Sequence, residues 1–254
     1  MNANPGAESP LLLVTGARGG IGRAVVAAAL TQGWRVAAVS RRSADGDVVA
    51  DDRQLDIVAD VSTADGARDA FAAAVEHFGE APSRLCHAAG NVRLGAIERC
   101  TDDQWRQVMA ANLDSAFYTL QAYAKARGDA PGGACVLFSS VAARMGTPSH
   151  AAVAAAKAGV EGLVRALAAD WAPRGWRVNG IALGLTETPM TEGFTRGDRA
   201  RQGVTVQYPL MRLGRAAETA DWAMRLLDAD GWTTGQIVSL DGGFSAVRPL
   251  VKAV

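Results

Sequence analysis

The sequence predicts an α/β fold, a doubly wound parallel sheet built as a single domain. Three observations predict it. Short, continuously apolar runs alternate with helical segments along the 254 residues. Those runs lack the in–out polar alternation of a sheet wetted on one face, so both faces are covered. A glycine-rich stretch follows the first run, and no repeat, linker or low-complexity segment divides the chain.

Residues 1–10 (MNANPGAESP) have neither a basic start nor an apolar run and read as a flexible tail. The domain then spans 11–254. Strands are expected at 11–15 (LLLVT), 35–40 (RVAAVS) and 84–88, then at 134–139 (ACVLFS), 177–182 (RVNGIA) and 236–240 (QIVSL). Each is a short apolar run bounded by turn residues or charge. Helices are expected at 21–32, 66–78, 102–126 and 151–171, which are rich in alanine, leucine and charged helix formers. Residues 184–215 break the rhythm, being mixed in charge and interrupted by Pro189 and Pro209. Such a segment in a compact domain is expected to be a substrate lid.

Composition narrows the function. Lys plus Arg equal Asp plus Glu at 26 each, so net charge supports neither a nucleic-acid nor a membrane-surface role. No run approaches the roughly 18 apolar residues of a membrane span. Cys86, Cys100 and Cys135 are scattered, as reduced thiols of a cytoplasmic protein would be. His77, His87 and His150 lie far apart in sequence without clustered partners, and no metal site is expected.

"VTGARGGIG" (14–22) leaves a strand and enters a helix. Gly16, Gly20 and Gly22 allow a tight turn and close approach to a pyrophosphate. The helix start at Ile21 offers free N–H groups and a positive dipole end. The second strand ends "VSRR", with Ser40 and Arg41 where a carboxylate would meet a free ribose 2′-hydroxyl. A hydroxyl beside a guanidinium favours NADP(H), and Arg18 adds a second positive charge.

Further motifs give the chain a likeness over residues 11–244. It resembles the short-chain dehydrogenase/reductase family, with a Rossmann fold. The motifs are TGxxxGxG, "ADVS" (Asp60, Val61), "HAAG" (87–90), "ANLDSAF" (Asn112), "FSS" (Ser140), "AAAKAG" (Lys157), "GLTETPM" (Thr188) and "TGQIVSLDGG". The resemblance implies that Asp60 and Val61 meet the adenine, Ala89 and Gly90 the cofactor cleft, and Thr188 the nicotinamide amide. It also implies that Lys157 holds the ribose, Ser140 the substrate oxygen and Asn112 a proton relay. A homodimer or homotetramer acting on a small molecule is expected on the same ground.

The departures matter more. Thirteen residues after Ser140, where the family places a proton-donating tyrosine, stands Val153. An isopropyl group cannot donate a proton. Leu183 replaces a proline, His87 and Ala88 replace two asparagines, and Gly19 stands where many NADP-using members carry arginine.

Three readings follow. The first is a carbonyl reductase or alcohol dehydrogenase with His150 as the acid. If the helix already runs by Ser149, then His150, Val153 and Lys157 share one face, and imidazole is the side chain best suited to proton transfer near neutral pH. The second is an enoyl- or dienoyl-thioester reductase, which would need Tyr118, Tyr123 or, best, Tyr208 of the lid. Arg196, Arg199 and Arg201 would then meet a coenzyme phosphate. The third is a non-redox catalyst or an inactive cofactor-binding protein.

Overall fold

The structure is a computed structural model, and it describes residues 9–42, 49–228 and 231–247. Residues 1–8 of the expected tail lie outside the described residues. In chain order the elements are β1 (Leu11–Thr15), α1 (Gly20–Thr31), β2 (Arg35–Ser40), β3 (Gln54–Val58), α2 (Ala64–Phe78) and β4 (Arg84–His87). Next come α3 (Asp102–Met109), α4 (Ser115–Arg127), β5 (Gly133–Ser140), α5 (Ala151–Trp171), β6 (Trp176–Leu183) and β7 (Thr186–Glu187). The series closes with α6 (Asp198–Thr205), β8 (Gly214–Arg215), α7 (Ala216–Leu227) and β9 (Ile237–Leu240).

Seven strands form one sheet in the order β3-β2-β1-β4-β5-β6-β9, and every pairing is parallel. Successive strand residues point to opposite faces, and β1 shows the consequence. Leu12 and Val14 pack under α1 and α7, whereas Leu13 packs under α2, α4 and α5. This is the doubly wound arrangement the apolar runs predict. The chain reverses direction across the sheet between β1 and β4, and there the carboxyl ends of the strands open a crevice.

The structure adds elements the sequence reading lacks. Strand β3 carries Asp56 in its middle and is only half buried, so it has no continuous apolar run. It is an edge strand whose polar residue holds Arg18, the Val49 amide and Gln54. The expected helix over 102–126 is broken by a π-turn at Ala110–Asp114. The segment 184–215 is less irregular than expected. It contains α6, and its two ends are tied by the short parallel pair β7–β8. Helix α7 closes a face of the sheet with six buried residues, among them Met224, Leu226 and Leu227. No helix among the described residues is long and apolar enough to cross a membrane.

Candidate active site

At the β1 end, Gly16 has φ +63° and lies so close to β4 that a Cβ there would be 2.6 Å from the Ala88 carbonyl oxygen. Only glycine fits a left-handed turn pressed against backbone. Gly20 faces the turn after β7, where a Cβ would come 2.7 Å from the Thr188 side chain. The glycine loop and Thr188 are thus brought side by side. Helix α1 starts without a side-chain cap at Gly19, so its first N–H groups are left for another acceptor. Gly22 is buried beneath them and Ile21 packs against the core.

The strand ends at β2 and β3 carry the groups expected at the far end of the cleft. Arg41 is exposed, and Ser40 Oγ donates to the Arg42 carbonyl at 2.9 Å. Partial burial raises the Asp60 pKa. The Ser62 hydroxyl and amide, at 2.7 and 3.0 Å from Oδ1, together with the Arg41 charge outweigh it, so Asp60 sits below its ordinary value. Val61 is buried beside it. Arg18 is placed otherwise than the sequence reading has it. Its guanidinium pairs with Asp56 of β3 at 3.3 Å instead of standing free toward the cleft.

Asn112, Lys157 and Gly90 form the centre. The π-turn rotates Asn112 inward, where it is 1% exposed. Its Nδ2 donates to Val108 O and to Asn91 Oδ1, both at 2.9 Å, while Oδ1 has no partner among the described residues. A Cβ on Gly90 would lie 2.8 Å from that oxygen and 3.5 Å from Lys157 Nζ. Gly90 is thus packed against both an unsatisfied acceptor and an ammonium, with no room for a side chain. Nζ donates one hydrogen to Phe138 O at 2.9 Å, leaving two others. Burial lowers the Lys157 pKa from 10.5 to about 8. Ser140 ends β5, and its Oγ accepts from the Ala142 amide at 3.2 Å, so its hydroxyl hydrogen can serve another acceptor.

The expected alignment of His150, Val153 and Lys157 on one helix face does not hold. Ser149 adopts φ +64°, so α5 starts at Ala151 and His150 is its cap residue. The imidazole folds back, and Nδ1–H donates to Pro148 O at 2.7 Å. A carbonyl only accepts, so this bond assigns the Nδ1 proton and leaves Nε2 as the open nitrogen. Val153 is 3% exposed, packed in a cluster with Val108 and Ala156.

Two supporting networks escaped the sequence reading. In the first, the Ala89 amide donates to Thr15 Oγ1 at 3.2 Å, and that hydroxyl meets His87 Nδ1 at 3.0 Å. On the other side His87 Nε2 meets Ser115 Oγ at 3.2 Å, and Ser115 donates to Ala111 O at 2.9 Å. The Ser115 proton is already committed, so Nε2 carries the ring hydrogen and Thr15 donates to Nδ1. A neutral His87 thus links β1 and β4 to the turn that carries Asn112. Burial, and then the Lys157 charge, push its pKa down to about 3.

In the second, Glu161 is buried one turn after Lys157. It accepts from Ser139 Oγ at 3.0 Å and from Arg144 Nε at 2.9 and 3.0 Å, with Arg165 at 3.6 Å. Arg144 lies in the loop joining Ser140 to His150, so this carboxylate ties that loop to α5. A lone acid in the apolar run "AGVEGLV" was the one sequence signal for it.

The tyrosines are elsewhere. Tyr123 is fully buried against Trp171 and Trp176. Tyr208 is 7% exposed, stacks on Phe244, and its hydroxyl accepts from the Leu185 amide at 2.8 Å. Tyr118 packs at the edge of the core cluster. Arg201 pairs with Glu187, while Arg196 and Arg199 are exposed.

A family model described as enoyl-(acyl carrier protein) reductase matches residues 16–245. The chain is similar to galactitol 2-dehydrogenase (L-tagatose-forming) of Cereibacter sphaeroides, 35% identical over 240 residues, 91% of this chain and 93% of that protein. It is also similar to the 3-oxoacyl-[acyl-carrier-protein] reductase of Escherichia coli, 31% identical over 245 residues, 94% and 99% of the two chains. Among solved structures, a putative 2-deoxy-D-gluconate 3-dehydrogenase from Agrobacterium tumefaciens with bound NADP superposes with a TM-score of 0.84 at 28% identity, covering 96% of this chain and all of the other.

Proposed function

The chain belongs to the short-chain dehydrogenase/reductase family, and from that premise we propose that it is an NADP(H)-dependent carbonyl reductase or alcohol dehydrogenase with a non-tyrosine proton donor. The observation that carries this reading is the pair of polar groups packed against Gly90, the Lys157 ammonium and the unpartnered Asn112 Oδ1. A buried charge beside an unsatisfied carbonyl is costly in a passive scaffold and useful where hydroxyls and a water must be held in line.

The glycine cradle, the close-packed Gly90 and the donor set fit a nicotinamide dinucleotide. Gly16, Gly20, Ile21 and Gly22 would hold its pyrophosphate, Asp60 and Val61 its adenine, Ala89 and Gly90 the cleft wall, and Thr188 the nicotinamide amide. Bound there, the cofactor supplies or accepts a hydride. Lys157 holds ribose hydroxyls, Ser140 donates to the substrate oxygen, and Asn112 Oδ1 accepts from a relay water. His150, its Nδ1 proton occupied by Pro148, exchanges its other proton at Nε2. Reduction then adds one hydride to carbon and one proton to oxygen.

His150→Ala is expected to lower kcat by about a hundredfold, the usual range for a lost general acid, with NADPH affinity unchanged. Stopped-flow turnover beside a fluorescence titration checks this, and retention of most turnover removes His150 from the donor role. The NADP(H) assignment rests on Arg41 and Ser40 and on the absence of a carboxylate in "VSRR". Arg41→Ala is expected to weaken NADPH about tenfold, one charge-assisted contact, and to leave NADH affinity unchanged. Equal losses for both cofactors would contradict it.

The alternative, conjugate reduction of an enoyl thioester, has in its favour the description of the matching family model. Its obstacle is the proton donor, because Tyr208 is buried against Phe244 and Tyr123 is enclosed in the core.

A further inference from the structure

A cavity of about 450 Å³ opens between the loop after β4 and the start of α5, a size typical of small-molecule sites. It adjoins the candidate donor. Ser149, Ala151 and Ala152, the residues on both sides of His150, line it, and so does Val108, which packs with Val153. The Gly95 amide donates to Ser149 O at 2.9 Å and closes the two loops around it. Ser149 holds a left-handed backbone that non-glycine residues adopt at a cost, a feature that clusters at functional sites.

The lining has two characters. Trp105 and Ile97 present apolar surface, 41% and 72% exposed. Arg93 and Arg99 also line it, and neither guanidinium has a hydrogen-bond or ion-pair partner among the described residues. By contrast Arg106, Arg144, Arg165, Arg201, Arg212 and Arg215 each reach a carboxylate. The lining's one carboxylate, Asp102, is already 3.8 Å from Arg106. The lining therefore combines apolar surface with uncompensated positive charge.

Building on the carbonyl-reductase reading of the same site, we propose that this cavity receives the substrate and that the substrate is an oxyanion: a carbonyl compound with a flat apolar body against Trp105 and Ile97 and a carboxylate or phosphate between Arg93 and Arg99. Planar guanidinium forks pair with either group through parallel hydrogen bonds. A single exposed ion pair contributes little, but two arginines acting on one anion beside an indole are expected to give about tenfold selectivity over a neutral analogue.

Tryptophan fluorescence titration of the full chain without cofactor tests this with benzoylformate, its methyl ester and phenyl phosphate. The expected result is binding of the two anions about tenfold tighter than the ester. The double variant Arg93→Gln/Arg99→Gln, at exposed positions without partners, should erase that difference, and Trp105→Phe should remove most of the signal. Whichever anion binds tighter identifies carboxylate or phosphate as the natural group. Equal binding of acid and ester, or a preference that survives in the double variant, overturns the proposal. Kinetics with NADPH separate it from the reading it builds on. Anion-selective binding with no ketone reduced defeats the reductase reading and leaves the oxyanion site standing. Reduction of neutral and acidic ketones alike, with no binding preference, does the reverse.

Discussion

Lys157→Met is expected to lower turnover at least about a hundredfold and, at pH 7, to make the protein more stable. The first effect follows from the role proposed for the ammonium beside Gly90. The second follows from burial, which lowers the Lys157 pKa from 10.5 to about 8. At 1.36 kcal/mol per pKa unit, keeping that lysine charged at pH 7 costs the fold about 3 kcal/mol. Methionine fills similar space without charge, and losing the bond to Phe138 O returns about 1 kcal/mol. The net gain is about 2 kcal/mol, a rise in melting temperature of about 5 °C. The sign is set by proton count: between pH 8 and 10.5 the unfolded chain holds a proton that the folded lysine has released. Wild-type stability therefore climbs through that window, and the advantage of the variant is full below pH 8 and vanishes above 10.5. Chemical unfolding at pH 7 and pH 10 measures it. A variant less stable than wild type at pH 7 would show that the ammonium is held favourably, contrary to this account. In the wild type, turnover is expected to decline above about pH 8 as the lysine loses its charge.

His87→Asn is expected to flatten the acid limb of the stability curve. Folded His87 stays neutral to about pH 3, whereas the unfolded ring takes up a proton near 6.5. The unfolded state thus binds more protons throughout that interval, so stability present above pH 6.5 is lost as pH falls toward 3. By pH 4 the loss from this one residue is about 3 kcal/mol. Asparagine does not titrate and removes that component. It will also disturb the bonds to Thr15 and Ser115, so the difference in slope, not the absolute stability, carries the test. Urea unfolding at pH 7, 5.5 and 4 provides it, and parallel curves for the two proteins would mean that His87 is not a buried neutral ring.

Much of the fold was legible because its signals are local. The strands at the centre of the sheet are continuous apolar runs, and the glycine loop announces itself where a strand meets a helix. Strand β3 was not legible, since an edge strand with Asp56 at its middle needs no apolar run. The π-turn at Ala110–Asp114 was hidden for a different reason. It changes a hydrogen-bond count within one helix, and the residue pattern of "AANLD" reads the same either way.

The site divides along the same line. The sequence by itself determined the inventory of groups: a lysine, an asparagine and a serine at family spacing, a valine where a phenol is expected, and no carboxylate in "VSRR" at the end of β2. Only the tertiary structure decided where those groups point. His150 leaves the helix face because Ser149 turns left-handed where its carbonyl is held by Gly95, some fifty residues away in sequence. Arg18 turns from the cleft because β3 brings Asp56 within reach of it, two strands away from β1. Glu161 is tolerated inside because Arg144 arrives from another loop. Which groups exist is written residue by residue, but orientation, burial and partnership are set by contacts between segments far apart in the chain, and those arise only once the chain has folded.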